Sequence, residues 1–389
     1  MTKSRAILLS MLLGAHAALA DVTVSTLITT PLVIEGLTND SQGNLYAPGR
    51  TPGNGQPCPV WRVPIDSPTL TIVGHIPAPS PTTQCSPSGL AFGPDGKLYV
   101  TETDRIYRFT PNAATPPLAD VFATNVPGTN GLAFDWTGDL WTGDGTTGVG
   151  RVWRIDSQGV ATEMFRVPPM AVEVTSASGT VQVGRDARTL PPATITVTPT
   201  SRNASNTLGS QPLVANGLAF DRGGRLWIAD TARGAIWRVH VRRSDKAILS
   251  PMGCDTQHTA NTLCMDNVLV SHPFLEGADG LALDVSGRMW VVANERNAVV
   301  FIYPENGRVQ EVFRNPPNAA TSLRNTGPLE SPASPVVAGN RFCTSNSDGN
   351  RRDNSPNTAG EIGGSGQPRG KISCIEQLIN VQGMPLPIR

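Results

Sequence analysis

One twelve-residue line recurs five times in this 389-residue chain, and no other feature restricts its fold as much. The copies are EGLTNDSQGNLY (35–46), SGLAFGPDGKLY (88–99), NGLAFDWTGDLW (130–141), NGLAFDRGGRLW (216–227) and DGLALDVSGRMW (279–290). They align without a gap. Each carries Gly-Leu, a second Gly seven residues after the first, then Leu or Met, then Tyr or Trp. A short apolar strand that runs into a polar turn such as Pro94-Asp95-Gly96, and a second strand that opens on Leu and an aromatic ring, make a β-hairpin. A third strand follows the line: VWRV (60–63), IYRF (106–109), VWRI (152–155), IWRV (236–239) and VVFIY (299–303). Their alternation of apolar and polar residues suits half-buried strands. No stretch keeps a helical period. Gly and Pro, at 39 and 34 residues, supply the tight turns such a chain needs.

Repeated units of three or four strands are the blades of a β-propeller. The first glycines of the copies are spaced by 53, 42, 86 and 63 residues. A degenerate sixth copy, SPVVAGNRFCTSNSDG (334–349), lies about one blade further on. The expected fold is all-β, a six-bladed propeller. The 86-residue gap holds the Thr- and Val-rich stretch 171–199, which is read as a hairpin inserted on the third blade. A seventh blade that lost its motif is the alternative. Val22–Thr29 is expected to pair with Lys371–Asn380, so that the ring closes without an exposed sheet edge. The Gly-, Asn- and Ser-rich stretch 349–370 is read as a surface loop.

Residues 1–20 combine Lys3 and Arg5, a short apolar run and a small-x-small site at Ala18-Leu19-Ala20, the pattern of a secretory signal peptide. The remaining 21–389 is read as one propeller domain, secreted or periplasmic and monomeric. Without Lys3 and Arg5 the chain has 29 basic and 31 acidic residues, which gives no electrostatic case for nucleic acid or an anionic membrane. No later apolar run approaches a membrane span. Six cysteines in an exported chain suggest disulfides. Nearest-neighbour pairing joins Cys58 to Cys85, Cys254 to Cys264 and Cys343 to Cys374. A zinc site competes poorly, since no Cys-x-x-Cys pair or Cys/His cluster occurs.

The residue before the first glycine varies among the copies, always with an oxygen-bearing side chain: Glu35, Ser88, Asn130, Asn216, Asp279 and, by looser alignment, Ser334. The innermost strand of a propeller blade lines the central channel, so a residue just ahead of it sits at the channel mouth. Two carboxylates and two carboxamides converging there form a hard-oxygen set. Such a set suits Ca²⁺ best, with Mg²⁺, Mn²⁺ or Zn²⁺ as alternatives. The competing reading is a series of turns, because Asn-Gly and Asp-Gly are common turn dipeptides. Glu35 fits that reading poorly, since Glu does not favour turns.

The repeated line, the six-blade count and the order Glu, Ser, Asn, Asn, Asp resemble the gluconolactonase/regucalcin-like family, also called the senescence marker protein family, over about residues 22–345. The resemblance implies a six-bladed propeller with one divalent metal in the channel mouth. It also implies ligands at Glu35, Asn130, Asn216 and Asp279, with Asp279 serving in addition as candidate general base. Paraoxonase-like lactonases look similar at this level. The implied reaction is hydrolysis of a cyclic ester: the metal polarises the carbonyl and Asp279 deprotonates the attacking water. One departure is plain. Sugar-lactone members carry an Arg two residues before the third-blade Asn, and here that position is Gly128. The loops VPGT (126–129) and SQPLVA (210–215) offer no sugar clamp, so a less polar lactone or ester fits equally well.

Other chemistry is sparse. His272, seven residues before Asp279, is a second candidate base, although a loop histidine is the simpler reading. GTTGVG (145–150) lacks the Lys and helix of a phosphate loop. No Gly-x-Ser-x-Gly elbow occurs. The third-strand arginines Arg62, Arg108, Arg154 and Arg238 are read as lying on a solvated face. The expected function is a metal-dependent hydrolase of lactones or related esters acting on a small-molecule substrate. The alternatives are a binding module with a structural metal and a propeller lyase.

Overall fold

Each copy of the line forms the two inner strands of a four-stranded antiparallel sheet. Six such sheets make a six-bladed β-propeller. The computed structural model describes residues 22–50, 52–169, 213–316, 327–347 and 369–377, residues 379, 382 and 383, and the backbone of three strands between 172 and 196. Blade 2 shows the plan: Pro87–Phe92 is innermost, followed outward by Leu98–Glu102, Arg105–Phe109 and Asp120–Ala123. Blade 6 is built from both ends of the chain. Its strands run Pro332–Ala338, Arg341–Asn346, Gly370–Ile375 and, outermost, Val24–Thr30. The closure expected between the first strand and the segment after 370 is therefore present, with Val24 opposite Ile375 and Thr30 opposite Gly370.

The repeated residues act at the turn between the two inner strands. The second glycine of the line has positive φ in every copy, from +74° at Gly96 to +91° at Gly138, a conformation that glycine adopts without penalty. An aspartate heads the same turn in four copies, and in blade 2, where Gly93 stands there, Asp95 within the turn takes its place. The carboxylate of Asp284 accepts the backbone N–H of Ser286 at 2.9 Å and of Arg288 at 3.1 Å, and the indole N–H of Trp290 at 3.3 Å. Asp40 with Tyr46 (3.0 Å), Asp95 with Tyr99 (3.1 Å), Asp135 with Trp141 (3.0 Å) and Asp221 with Trp227 (3.2 Å) repeat the lock. The ring so held packs edge-on against an aromatic of the next blade. Tyr46 meets Phe92 at 5.0 Å, Tyr99 meets Phe134 at 5.1 Å, and Trp141 meets Phe220 at 5.4 Å. One side chain thus closes its own turn and seals the interface between blades, where Trp141 and Trp227 are fully buried.

The three disulfides are those of nearest-neighbour pairing. Cys343–Cys374 joins the second and third strands of blade 6, and Cys58–Cys85 ties blade 1 to the approach to blade 2. Cys254–Cys264 lies in the long excursion between Ala235–His240 and Val268–Ser271 of blade 4.

Two expectations change. The stretch 171–199 is an insert rather than a seventh blade, and the hairpin expected there carries a third strand. Val172–Thr175, Thr180–Val183 and Ala193–Thr196 form a three-stranded antiparallel sheet, because the alternation of Thr with apolar residues continues through ATIT and adds a third strand. The third-strand arginines are half-buried rather than solvated. Arg108, for example, lies over the Phe122 ring at 4.7 Å. Residues 1–20, read above as a signal peptide, and most of the stretch 349–370, read as a surface loop, lie outside the described residues. Among the described residues, no helix is long and apolar enough to cross a membrane.

Candidate functional site

The variable residues sit inside the first strand, not ahead of it as the sequence suggests, in four of the six blades. Thr129 pairs with Asp144 and Leu132 with Thr142, so Asn130-Gly131 together oppose one residue of the partner strand. That is a β-bulge, a device that re-aims a side chain and sharpens the local twist. The same irregularity falls between Pro87 and Leu90, between Ala278 and Leu281, and between Pro332 and Pro335. The glycine that follows serves the ring. A Cβ on Gly36 would lie 2.1 Å from the carbonyl oxygen of Ser88, and one on Gly89 would lie 2.1 Å from that of Asn130. Each blade therefore abuts the variable residue of the next, and the abutment continues through Gly131, Gly217 and Gly280. Hydroxyls add stitches of the same kind. Thr101 donates to Asn130 O at 3.0 Å, and Ser345 donates to Glu35 O across the closing blade. The variable residues consequently encircle the axis, at the mouth of a channel of about 120 Å³ walled by the first strands.

The side chains of that ring are buried or nearly so: Asn130 is 6% exposed, Asn216 2% and Asp279 5%. Asn130 Nδ2 donates to Glu35 Oε1 at 3.2 Å, joining blade 3 to blade 1 across 95 residues of sequence. Asn216 Nδ2 donates to Thr231 Oγ1 at 3.1 Å, and Asn294 Nδ2 donates to Asp279 Oδ2 at 2.8 Å. Arg50 forms an ion pair with the second oxygen of Glu35 and also donates to Ser86 Oγ from Nε (3.0 Å) and Nη2 (2.6 Å). Gly145 supplies space: a Cβ there would lie 2.6 Å from Asn130 Nδ2 and 2.8 Å from Asn216 Oδ1.

These supports share one address, which the sequence reading missed. Arg50, Gly145, Thr231 and Asn294 each stand fifteen residues after their ring residue, at the end of the second strand or just beyond it. The fixed offset was available in the sequence. The residue types at that offset follow no single pattern, so only their contacts mark them as partners.

One residue behind them lies a layer of buried acids. Glu102 is 1% exposed, and burial pushes its carboxyl above the usual range. Hydrogen bonds from Thr103 and the Ser86 backbone oppose that shift. Asp230 is fully buried and likewise pushed up by desolvation, against the pull of Arg233 at 2.8 Å and of the Trp237 indole at 2.9 Å.

One sequence reading is corrected by the geometry and two others gain their physical reason. The register of blade 6 puts Ala333, not Ser334, at the ring position, and the Cβ of Gly280 would meet Ala333 O at 2.3 Å. The sixth copy had no Gly-Leu to anchor its alignment, hence the slip of one. The region of Gly128 has no room for the arginine that sugar-lactone members carry. Its φ is +84°, and a Cβ would lie 1.9 Å from Asp144 Oδ1. The guanidinium that does reach the ring is that of Arg50, from blade 1. His272 caps a short 3-10 turn, its Nδ1 accepting from Phe274 N at 3.0 Å while the ring packs on Phe274, as the loop reading of this residue has it.

As a donor set, the ring offers two carboxylates and two carboxamides. The NH₂ groups of Asn130 and Asn216 are engaged by Glu35 and Thr231, so each amide turns its oxygen away from those partners. Buried oxygens of both charged and neutral type around one axis fit a hard divalent cation. Among the described residues, no three His, Cys, Asp or Glu side chains gather into a metal centre. A cation here would therefore rest partly on neutral oxygens.

The model of the SMP-30/Gluconolactonase/LRE-like region matches residues 178–328 of the chain. No curated protein matches the sequence at a significant level. Among solved structures, regucalcin from Agrobacterium tumefaciens strain C58, described as a calcium-binding protein, is similar with a TM-score of 0.59 at 14% identity, over 94% of this chain and 97% of that one. A luciferin-regenerating enzyme is similar with a TM-score of 0.58 at 13% identity, over 95% and 99%. The PQQ-bound aldose sugar dehydrogenase of Streptomyces coelicolor has a TM-score of 0.53 at 16% identity, over 92% and 99%. At such identities the likeness is one of fold, and the fold hosts more than one chemistry.

Proposed function

We propose that this chain is a metal-dependent hydrolase of lactones or related esters, working at the channel mouth. The observation that carries the reading is the contact of Glu35 with Asn130, in a ring that also brings Asn216 and Asp279 to the axis. The family model over 178–328, which spans Asn216 and Asp279, supports it. Glu35, Asn130, Asn216 and Asp279 would hold one divalent cation, with Ca²⁺ the best match to the donor set. Bound there, such an ion supplies Lewis acidity toward a carbonyl oxygen.

The remaining work belongs to side chains of the chain itself. Asp279, oriented by Asn294, takes the proton of the attacking water. Water adds to the acyl carbon, the ring C–O bond breaks as the departing alkoxide takes the proton back from Asp279, and a hydroxy acid leaves. The buried surroundings of the ring keep competing water from its polar contacts and strengthen them. The three disulfides suit an oxidising compartment, so we place the activity outside the cytoplasm.

The test is acid release from a panel of sugar and alkyl lactones, followed at constant pH with Ca²⁺, Mn²⁺, Mg²⁺ or Zn²⁺ added after chelation. Metal-restored acid release by the native protein, and none by Asp279→Asn, is the expected result. An ultraviolet-absorbing unsaturated product without acid release would identify a lyase instead. Metal binding with no turnover of any ester would leave a binding module.

A further inference from the structure

The Glu35 carboxylate has two claimants. One oxygen accepts from Asn130 and the other is ion-paired with Arg50. Arg50 is no mobile surface cation. Its backbone N–H donates to Val33 O at 2.8 Å, its guanidinium is pinned by two hydrogen bonds to Ser86 Oγ, and its side chain is 16% exposed. A guanidinium is planar and stays charged at every relevant pH. The ring that includes Glu35 and Asp279 therefore has a fixed positive charge built into its rim, delivered from blade 1. At the blade-3 position, where Gly128 stands, Asp144 occupies the space.

We propose that Arg50 is a positioning residue that sets how strongly the channel mouth holds a divalent cation. It fixes the rotamer of Glu35 while it cancels one of the ring's two negative charges. The inference rests on the reading of Glu35 as a cation ligand. Two effects of Arg50 oppose each other. Holding Glu35 in place favours binding, because the carboxylate is already ordered when the ion arrives. Placing a permanent positive charge against the same carboxylate disfavours binding, because the guanidinium repels the cation and competes for the oxygen.

The charge effect is the larger one. Glu35 keeps a second anchor in Asn130, so its order survives without Arg50, whereas among the described residues Arg50 is the cation paired with Glu35. Charge repulsion at contact range in a largely buried site is also weakly screened by water. The consequence is a site tuned below its maximum affinity, and more exposed to the charge of its ligand than a ring of Glu, Asn, Asn and Asp alone would be.

Calorimetric titration of Ca²⁺ and Mn²⁺ into the purified, chelator-treated full chain tests this, using the native protein, Arg50→Gln, Arg50→Lys and Ser86→Ala. Arg50→Gln removes the charge and should tighten binding at least tenfold. Arg50→Lys keeps the charge and should stay within about threefold of native. Ser86→Ala loosens the guanidinium without removing it and should also stay within about threefold. A weakened or unchanged affinity in Arg50→Gln overturns the proposal, and so does equal tightening in Arg50→Gln and Arg50→Lys. If Arg50 were only a staple between blades 1 and 2, all three variants would bind more weakly. Absence of binding by the native protein would instead remove the cation site itself, and the proposal with it. Circular dichroism and thermal unfolding of each variant separate a lost fold from a changed affinity.

Discussion

The two ends of one repeat follow opposite rules. At the turn end, every copy of the line does the same thing. In four copies the leading aspartate accepts two or more backbone N–H groups and the ring N–H or O–H of an aromatic; in blade 2, where Gly93 leads the turn, Asp95 does so with one backbone N–H, and in most copies the aromatic seals against a ring of the next blade. At the mouth end, the backbone is again repeated, with a glycine pressed on the neighbouring carbonyl and in four blades a bulge, but the side chain it aims varies among Glu, Ser, Asn, Asp and Ala. Uniform side chains mark where a fold must be held. Uniform backbone with varied side chains marks where a fold presents chemistry. The third-blade turn carries an extra tie of the first kind, because Lys246 reaches over from the blade 4 excursion to Asp135 at 2.8 Å.

That contrast predicts which substitutions harm activity and which harm stability. The largest expected effect is at the mouth. Asp279→Asn should lower turnover about a thousandfold while the melting temperature moves little, as measured by steady-state kinetics and calorimetry. Comparable loss of stability and activity would blur the distinction. Next comes the turn end. Asp284 is fully buried and accepts five hydrogen bonds, two from Ser286, two from Arg288 and one from Trp290. Asp284→Ala should cost about 2–4 kcal/mol in urea unfolding and leave the metal content of the folded protein unchanged. A variant that stays stable but loses metal would break the comparison from the other side.

Smaller effects sharpen it. Thr231→Val keeps shape but removes the hydroxyl that receives Asn216 Nδ2 and donates to Ala278 O. Cation affinity should fall about tenfold, the usual scale for a lost outer partner. Unchanged affinity would show that Asn216 needs no support. Glu102 offers a pH signature. Its folded carboxyl titrates above the usual range, so the native state binds the proton more tightly than the unfolded chain. Its contribution to stability is intact in acid and is lost as pH rises through the raised pKa. Glu102→Gln should therefore gain stability relative to native at neutral pH, and the gap should close on acidification. A gap that stays constant with pH would contradict the assignment.

Much of the turn end was legible in the sequence because its residues repeat at fixed spacing. The hairpins, the blade count, the closing strand and the disulfide pairing all follow from spacing and turn chemistry. The Asp–aromatic lock was visible too, as Asp135 and Trp141 or Asp221 and Trp227 in matching places, but its hydrogen bonds are a matter of three dimensions. The mouth was half legible. Glu35, Asn130, Asn216 and Asp279 stand out because they vary where the rest does not. Their partners Arg50, Thr231 and Asn294 do not stand out, since a guanidinium, a hydroxyl and an amide share no motif. The slip from Ala333 to Ser334 has the same origin: once Gly-Leu is lost, only strand register fixes which residue faces the axis.

The claim on which this account rests is that the four ring side chains share one cation on the propeller axis. Crystals grown with Mn²⁺ and measured for anomalous scattering test it directly. One anomalous peak among Glu35, Asn130, Asn216 and Asp279, absent from crystals of Asp279→Asn, is the predicted result. A well-ordered ring with no peak, or a peak held elsewhere on the molecule, would contradict it.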